Sequence, residues 1–345
     1  MFKLKPTRAT KFDTITDKRV LALAKNISEQ RNFTDDEKQE QLKKIAFAAR
    51  NDRHGEWLAM GSDIVKMVET HLPYVNPIPQ IADVQEGLGW DEQVKWDTTP
   101  GLRAWILADG VSPTETKITM TRTEFPDFEI HCFPTLRIKD LENGKGPSPD
   151  MVAAWSTQAL MSQLLGYLYN LCVTSVTDGS ANTNETTSEI SKTSFDSGID
   201  YLWPIIGKRP AGILGPQSSF TPVTGFDYGY SIDTLTKIYE TQGMLESYRA
   251  IPFVELIQPQ DEDGVALKND KGTVLLPITA PYNMFLVGTN FQIGGIKFAQ
   301  KGGISVYDWE DMRELLRGWH FVMKVSLGIV AADKTLFRYK INASG

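Results

Sequence analysis

MVAAWSTQALMSQLLGYLYNLCVTSVT, residues 151–177, contains no charged side chain. A helix of this length could cross a bilayer, so the fold class turns on whether lipid or protein covers it. Three features favour protein. Ser156, Gln163 and Asn170 recur seven apart and would mark one polar face. The flanks are acidic, Asp150 and Asp178, with no Lys or Arg cluster to anchor an end at a membrane surface. Ser148-Pro149-Asp150 is a helix start suited to water: a capping hydroxyl, proline in the first turn, and an acid near the positive dipole end. The spacing predicts one buried helix of about 40 Å at 1.5 Å per residue.

The rest of the chain fits a globular protein. It has 345 residues, 41% hydrophobic and 23% charged, with a net charge of −7. Such a composition can bury real cores, which excludes global disorder. The acidic balance argues against a surface that grips nucleic acid all over. Locally, Lys3, Lys5, Arg8, Lys11, Lys18 and Arg19 form a basic arm, either simply solvated or able to meet phosphate or an acidic neighbour. Two cysteines, Cys132 and Cys172, are too few for a disulfide framework. The opening MFKLKPTRATKF lacks the apolar stretch of a signal peptide.

Residues 14–72 read as helices. Thr34 and Glu37 form a capping-box pair, and a third helix carrying Trp57, Ile64, Val65 and Val68 is expected to stop before Pro73. Strand-like runs occupy 80–147. In TKITMTRTEF (116–125) Ile118, Met120 and Arg122 alternate with threonines, and the turn Pro126-Asp127 is expected to pair this run with 128–141 as a hairpin. Residues 178–200 are polar and read as a loop. A helix over 231–247, a tight turn and a strand over 250–258 follow. The closing run 318–341 reads as two or three strands with turns near Gly328 and Asp333.

Catalytic signatures are absent from the sequence: no phosphate-binding loop, no dinucleotide fingerprint, no HExxH and no CxxC. His131 and Cys132 are adjacent, so on a strand they face opposite ways and cannot share a metal. Asp261-Glu262-Asp263-Gly264 lacks the distal Glu of a calcium loop and reads as a turn. Trp57, Trp155 and Trp319 lie in apolar segments and are expected in the core, whereas Trp90, Trp96 and Trp105 could face a partner. No cofactor and no metal site is expected.

The order of elements resembles the major capsid protein of tailed bacteriophages, with its α+β Hong Kong 97-like fold. The resemblance spans about 270 residues by order and pattern, and the step YRAIPFVEL (248–256) is its most family-like local feature. It implies a helical N-terminal arm over 1–74, an extended loop hairpin with peripheral-domain strands over 75–147, and a long spine helix over 148–178. An axial domain would follow over 200–320, with closing strands over 321–345 returning to the peripheral domain. The arm looks more helical than the family's extended one. Some members cross-link through a Lys and an Asn. Lys117 lies in the hairpin region, but neither partner is matched, so no cross-link is expected.

As a coat subunit the chain would partner itself, in pentamers and hexamers that build an icosahedral shell. The shell would hold double-stranded DNA non-specifically, in a virion assembled in the host cytoplasm. Scaffold, decoration or portal proteins are further partners that the resemblance implies, and no membrane is involved. Phe125, Phe128 and Phe133 are the candidate anchors between subunits, the alternative being that they pack under their own hairpin. Arg249 would pair either within its subunit or with the next one around the ring. The alternatives are an encapsulin-type compartment holding enzymes, a portal or tail protein, and a hydrolase using two carboxylates.

Overall fold

In the computed structural model the described residues are 45–46, 49–50, 55–92, 94–98, 121–143, 146–186, 190–224, 247–256, 282–290, 293–311 and 315–341. The predicted helix 231–247 apart from Ser247, the calcium-like turn 261–264, Trp105, Lys117 and the basic arm lie outside them. The chain divides into two compact units, one drawn from Met1–Met67, Phe133–Trp155 and Val306–His320, the other from Val68–Cys132, Ser156–Ser305 and Phe321–Gly345.

The first unit is organised by two tryptophans. Helix α1 (Glu56–Val75) starts here, and its Trp57 stacks flat on Trp319, with centroids 4.2 Å apart and planes 9° from parallel. Each indole N–H is satisfied by the other's chain: Trp57 Nε1 donates to Gly318 O at 3.2 Å and Trp319 Nε1 to Trp57 O at 2.9 Å. Burial of two such rings is tolerated because both polar handles find partners. Gly61 permits the approach, since a Cβ there would overlap the Trp319 ring. Buried Arg317 lies over Trp57 at 5.2 Å, pairs with Asp308 at 2.7 Å and donates to Ala49 O at 2.8 Å. Short strand β5 (Thr135–Arg137) pairs antiparallel with residues 316–318, and the following helix α3 (Ile138–Glu142) buries Ile138 and Leu141.

The second unit contains two sheets. Helix α2 (Ile78–Ile81) leads into β1 (Ala82–Leu88), which runs parallel to β11 (Gly295–Asp311). β11 is followed by β12 (Leu316–Val330), and β12 pairs antiparallel with β4 (Asp127–Cys132), giving the order β1-β11-β12-β4. The second sheet has six strands in the order β6-β13-β10-β7-β9-β8. These are β6 (Thr183–Thr186), β7 (Gly212–Gly215), β8 (Ser247–Tyr248), β9 (Ile251–Glu255), β10 (Tyr282–Val287) and β13 (Leu336–Ile341). Helix α5 (Lys192–Ile206) covers this sheet, burying Phe195, Ile199, Leu202 and Ile206 against Ile213, Leu286, Phe337 and Tyr339. Gly198 lies where the Tyr339 hydroxyl passes, and a Cβ there would overlap it.

Helix α4 (Pro149–Ser175) realises the uncharged segment. Ser148 caps it as the sequence predicts, its Oγ accepting from Met151 N at 3.4 Å. Among the described residues no helix is long and apolar enough to cross a membrane. In the second unit α4 docks through Tyr169. Its hydroxyl accepts from Asn283 N and Nδ2, both at 3.0 Å, and its ring meets Phe285 edge-on. Just past the helix, buried Arg338 donates to Val176 O at 2.9 Å and Asp178 Oδ1 at 2.8 Å, placing a cation where the last carbonyls of a helix need one.

Several expectations are corrected. Helix α1 runs through Pro73 to Val75, because Asn76 N still reaches Leu72 O at 2.9 Å and the missing proline N–H costs a bond only in the last turn. Ser156 is buried, so the polar face predicted from Ser156, Gln163 and Asn170 is not one exposed stripe. Among the described residues the hairpin expected between 116–125 and 128–141 is not found. The end of the first run, β3 (Thr121–Glu124), pairs back with β2 (Lys95–Thr98), while β4 joins β12. The described parts of the polar stretch 178–200 are more than a loop: Asn182 Nδ2 donates to Ala332 O and Leu336 O, β6 adds beside β13, and Ser191 caps α5. β12 passes straight through Gly328, and the turn near Asp333 is the short helix α6 (Ala332–Thr335). β11 and β12 lie in one sheet with β1 and β4, and 336–341 joins the six-stranded sheet.

Candidate assembly surfaces

Three places hold the residues singled out from the sequence. The first is the root of the β2–β3 ribbon, in the second unit. Trp96 is buried with Val94 and Ala299, and half-buried Phe125 and Leu88 pack on the same cluster. Phe125 lies over Gly328 of β12. Lys297 lies 5.2 Å from the Trp96 ring centroid and pairs with Asp83, and Lys324 lies 5.4 Å from the Trp90 ring centroid. Fully buried Lys301 pairs with Asp127 at 2.5 Å, two residues after Phe125. Phe128 packs on Tyr167 with ring centroids 4.2 Å apart and planes tilted by 39°, so it and Phe125 both contact their own chain. Trp96, one of three tryptophans that could have faced a partner, is buried here, and Trp90 is half-buried.

The second place is an aromatic surface on the first unit. Phe133 is 52% exposed and stacks on His320 at 3.9 Å, with planes 15° apart. Tyr307, 54% exposed, lies 5.8 Å from the same imidazole. Leu58, Met151, Trp155 and Trp309 are also exposed in this unit, so most of the large apolar side chains that the described residues leave open belong to it. Trp155, expected in the core, is 55% exposed: it follows buried Val152 and Ala153 and precedes buried Ser156 and Thr157, which puts it on the opposite side of the helix. Tyr307 and Trp309 went unnoticed in the sequence. The alternation of Tyr307 and Trp309 with Asp308 and Glu310 gave no sign, since all four are exposed.

The third is the turn between β8 and β9. Tyr248 pairs with Ile251, so Arg249 and Ala250 form a two-residue hairpin loop, with φ of 49° and 61°. Both lie in the left-handed region that this turn type demands. Arg249 pairs with Asp196 of α5 at 2.9 Å, and Tyr248 Oη donates to the other oxygen at 2.7 Å. Arg249 thus has its partner within its own chain. Burial, and then the hydrogen bond to the Asp196 carboxylate, push the Tyr248 phenol well above its ordinary range.

Reactive chemistry finds little support among the described residues. Burial pushes the Cys172 thiol far up and raises Cys132 too, so neither is poised as a thiolate. No group of three His, Cys, Asp or Glu side chains is arranged to hold a metal among them.

No protein-family model and no curated protein matches the chain. Solved structures do. A chain of Gordonia phage Cozz aligns with a TM-score of 0.51 at 13% identity, over 79% of this chain and 87% of that one. A chain of Microbacterium phage Oxtober96 gives 0.51 at 8% identity over 77% and 91%, and one of Mycobacterium phage Ogopogo gives 0.50 at 12% over 78% and 91%. The fold is the α+β Hong Kong 97-like fold of phage major capsid proteins, at identities where shape is retained and sequence is not.

Proposed function

We propose that this chain is a structural coat subunit that assembles with copies of itself into a closed shell around double-stranded DNA. The observation that carries the reading is the match of fold over 79% of the chain. The exposed aromatics of the first unit support it, because an isolated soluble protein gains nothing by leaving Phe133, Trp155, Tyr307 and Trp309 in water. In this reading the six-stranded sheet with α5 is the axial domain, meeting its copies in pentamers and hexamers, and α4 with β1, β11, β12 and β4 is the peripheral one. Phe133, half exposed on its His320 stack, is the anchor towards a neighbour, and Phe125 and Phe128 act through their own chain. The chain is not an enzyme, and it resides in the virion. Scaffold, decoration and portal proteins are its further partners.

Electron microscopy of the chain expressed alone tests this. Closed shells built of fivefold and sixfold clusters are expected, and a stable monomer at high concentration would overturn the reading. Nucleic acid protected from nuclease inside the natural particle separates a DNA-filled coat from an enzyme-holding compartment.

A further inference from the structure

The root of the β2–β3 ribbon is held by an unusual set of contacts for so small a sheet. A two-stranded ribbon is marginal by itself, and among the described residues this one pairs over 95–98 and 121–124. What holds it must come from the strands beneath. β12 would ordinarily present a side chain at 328; instead it presents a glycine, and the Phe125 ring fills that notch so closely that any Cβ would overlap it. Gly328 is not there for backbone freedom, since its φ is not positive and β12 runs through it unbroken. On the ribbon's other strand Val94 and Trp96 are buried, with Lys297 5.2 Å from the Trp96 ring centroid. On the chain side of β2, Trp90 lies over Lys324 and against Gly302, whose φ of 62° belongs to the left-handed region. Two residues after Phe125, Asp127 is fixed to buried Lys301. Both strands of the ribbon are therefore fixed at the same end, by aromatic rings on glycines and lysines of β11 and β12.

We propose that Gly328 and Phe125 form a notch-and-ring lock that sets how the β2–β3 ribbon leaves the sheet, and that this setting is required for the ribbon to engage a second copy of the chain. Gly328 is then a positioning residue for assembly. The second clause rests on the coat-subunit reading; the lock itself does not.

The test uses reciprocal substitution in the full chain. Gly328→Ala introduces a methyl that the ring cannot accommodate, and Phe125→Ala removes the ring. Hydrogen exchange is measured on dissociated subunits, at the amides of 95–98 and 121–124 against those of β10 and β13 as an internal control. Gly328→Ala is expected to speed exchange in the ribbon at least tenfold with the control amides unchanged, and to abolish shells in electron microscopy. In the double variant Gly328→Ala/Phe125→Ala the methyl meets no ring, so exchange should be no faster than in Phe125→Ala alone. Unchanged ribbon exchange in Gly328→Ala, or simple multiplication of the two effects in the double variant, would overturn the lock. Faster ribbon exchange with normal shells would overturn its role in assembly. Failure of the unsubstituted chain to form shells counts against the coat reading, and the exchange result still decides the lock. Should Gly328→Ala not fold, Phe125→Leu carries the same comparison with a smaller ring-site change.

Discussion

At the residue scale, two positions carry measurable consequences. Ala250 holds a left-handed conformation that costs a residue with a Cβ about 1 kcal/mol relative to glycine. Ala250→Gly should therefore raise stability by up to about 1 kcal/mol, partly offset by the greater freedom of glycine in the unfolded chain, as read by urea denaturation. Asp178 is the second. The hydrogen bond from Lys340, with Arg338 beside it, holds its carboxyl below the ordinary carboxylate range. A carboxyl lowered on folding stabilises above its unfolded value and loses that contribution as pH falls through the folded one. Asp178→Asn should thus be less stable than the parent near neutrality, and the gap should close as pH falls below the ordinary carboxylate range of about 4. Parallel denaturation curves at each pH would check it; a gap that persists in acid would assign the effect to packing.

At the scale of elements, α4 and α5 show how the same rules succeed and miss. The cap at Ser148 and the charge-free run were enough to place α4. What docks it is a hydroxyl whose importance the sequence hides. Tyr169→Phe keeps the ring against Phe285 but leaves the Asn283 amide donors without their acceptor, which should cost about 1–3 kcal/mol in thermal or chemical unfolding. Helix α5 was legible and overlooked: Phe195, Ile199, Leu202 and Ile206 repeat at helical spacing behind a capping serine, masked by the polar residues preceding them. The β2–β3 ribbon was expected as a hairpin, but its partner was misplaced, because alternation shows that a strand exists without showing what it pairs with.

For the whole molecule, the exposed aromatics of the first unit set the expectation. Phe133→Ser and Tyr307→Ser each remove more than half-exposed rings, so the melting temperature of the dissociated subunit should change little. Assembly should be weakened severalfold or more, since large aromatics dominate the centres of protein interfaces. Light scattering across subunit concentrations would read it, and parent-like assembly in both variants would move the interface elsewhere.

The sequence by itself determined the class of fold and the order of its parts. Hydrophobic period, caps and turn residues act within a few positions along the chain, so α4, β9 and the α+β character could be read from neighbours alone. Tertiary structure decided the rest: which sheet took β13, that Arg249 pairs with Asp196 of its own chain, that Trp155 faces outward and Trp96 inward, and that Gly328 receives Phe125. Those outcomes depend on contacts between residues tens to hundreds of positions apart. A local pattern can offer an aromatic ring for burial, but only the folded chain specifies the surface that receives it.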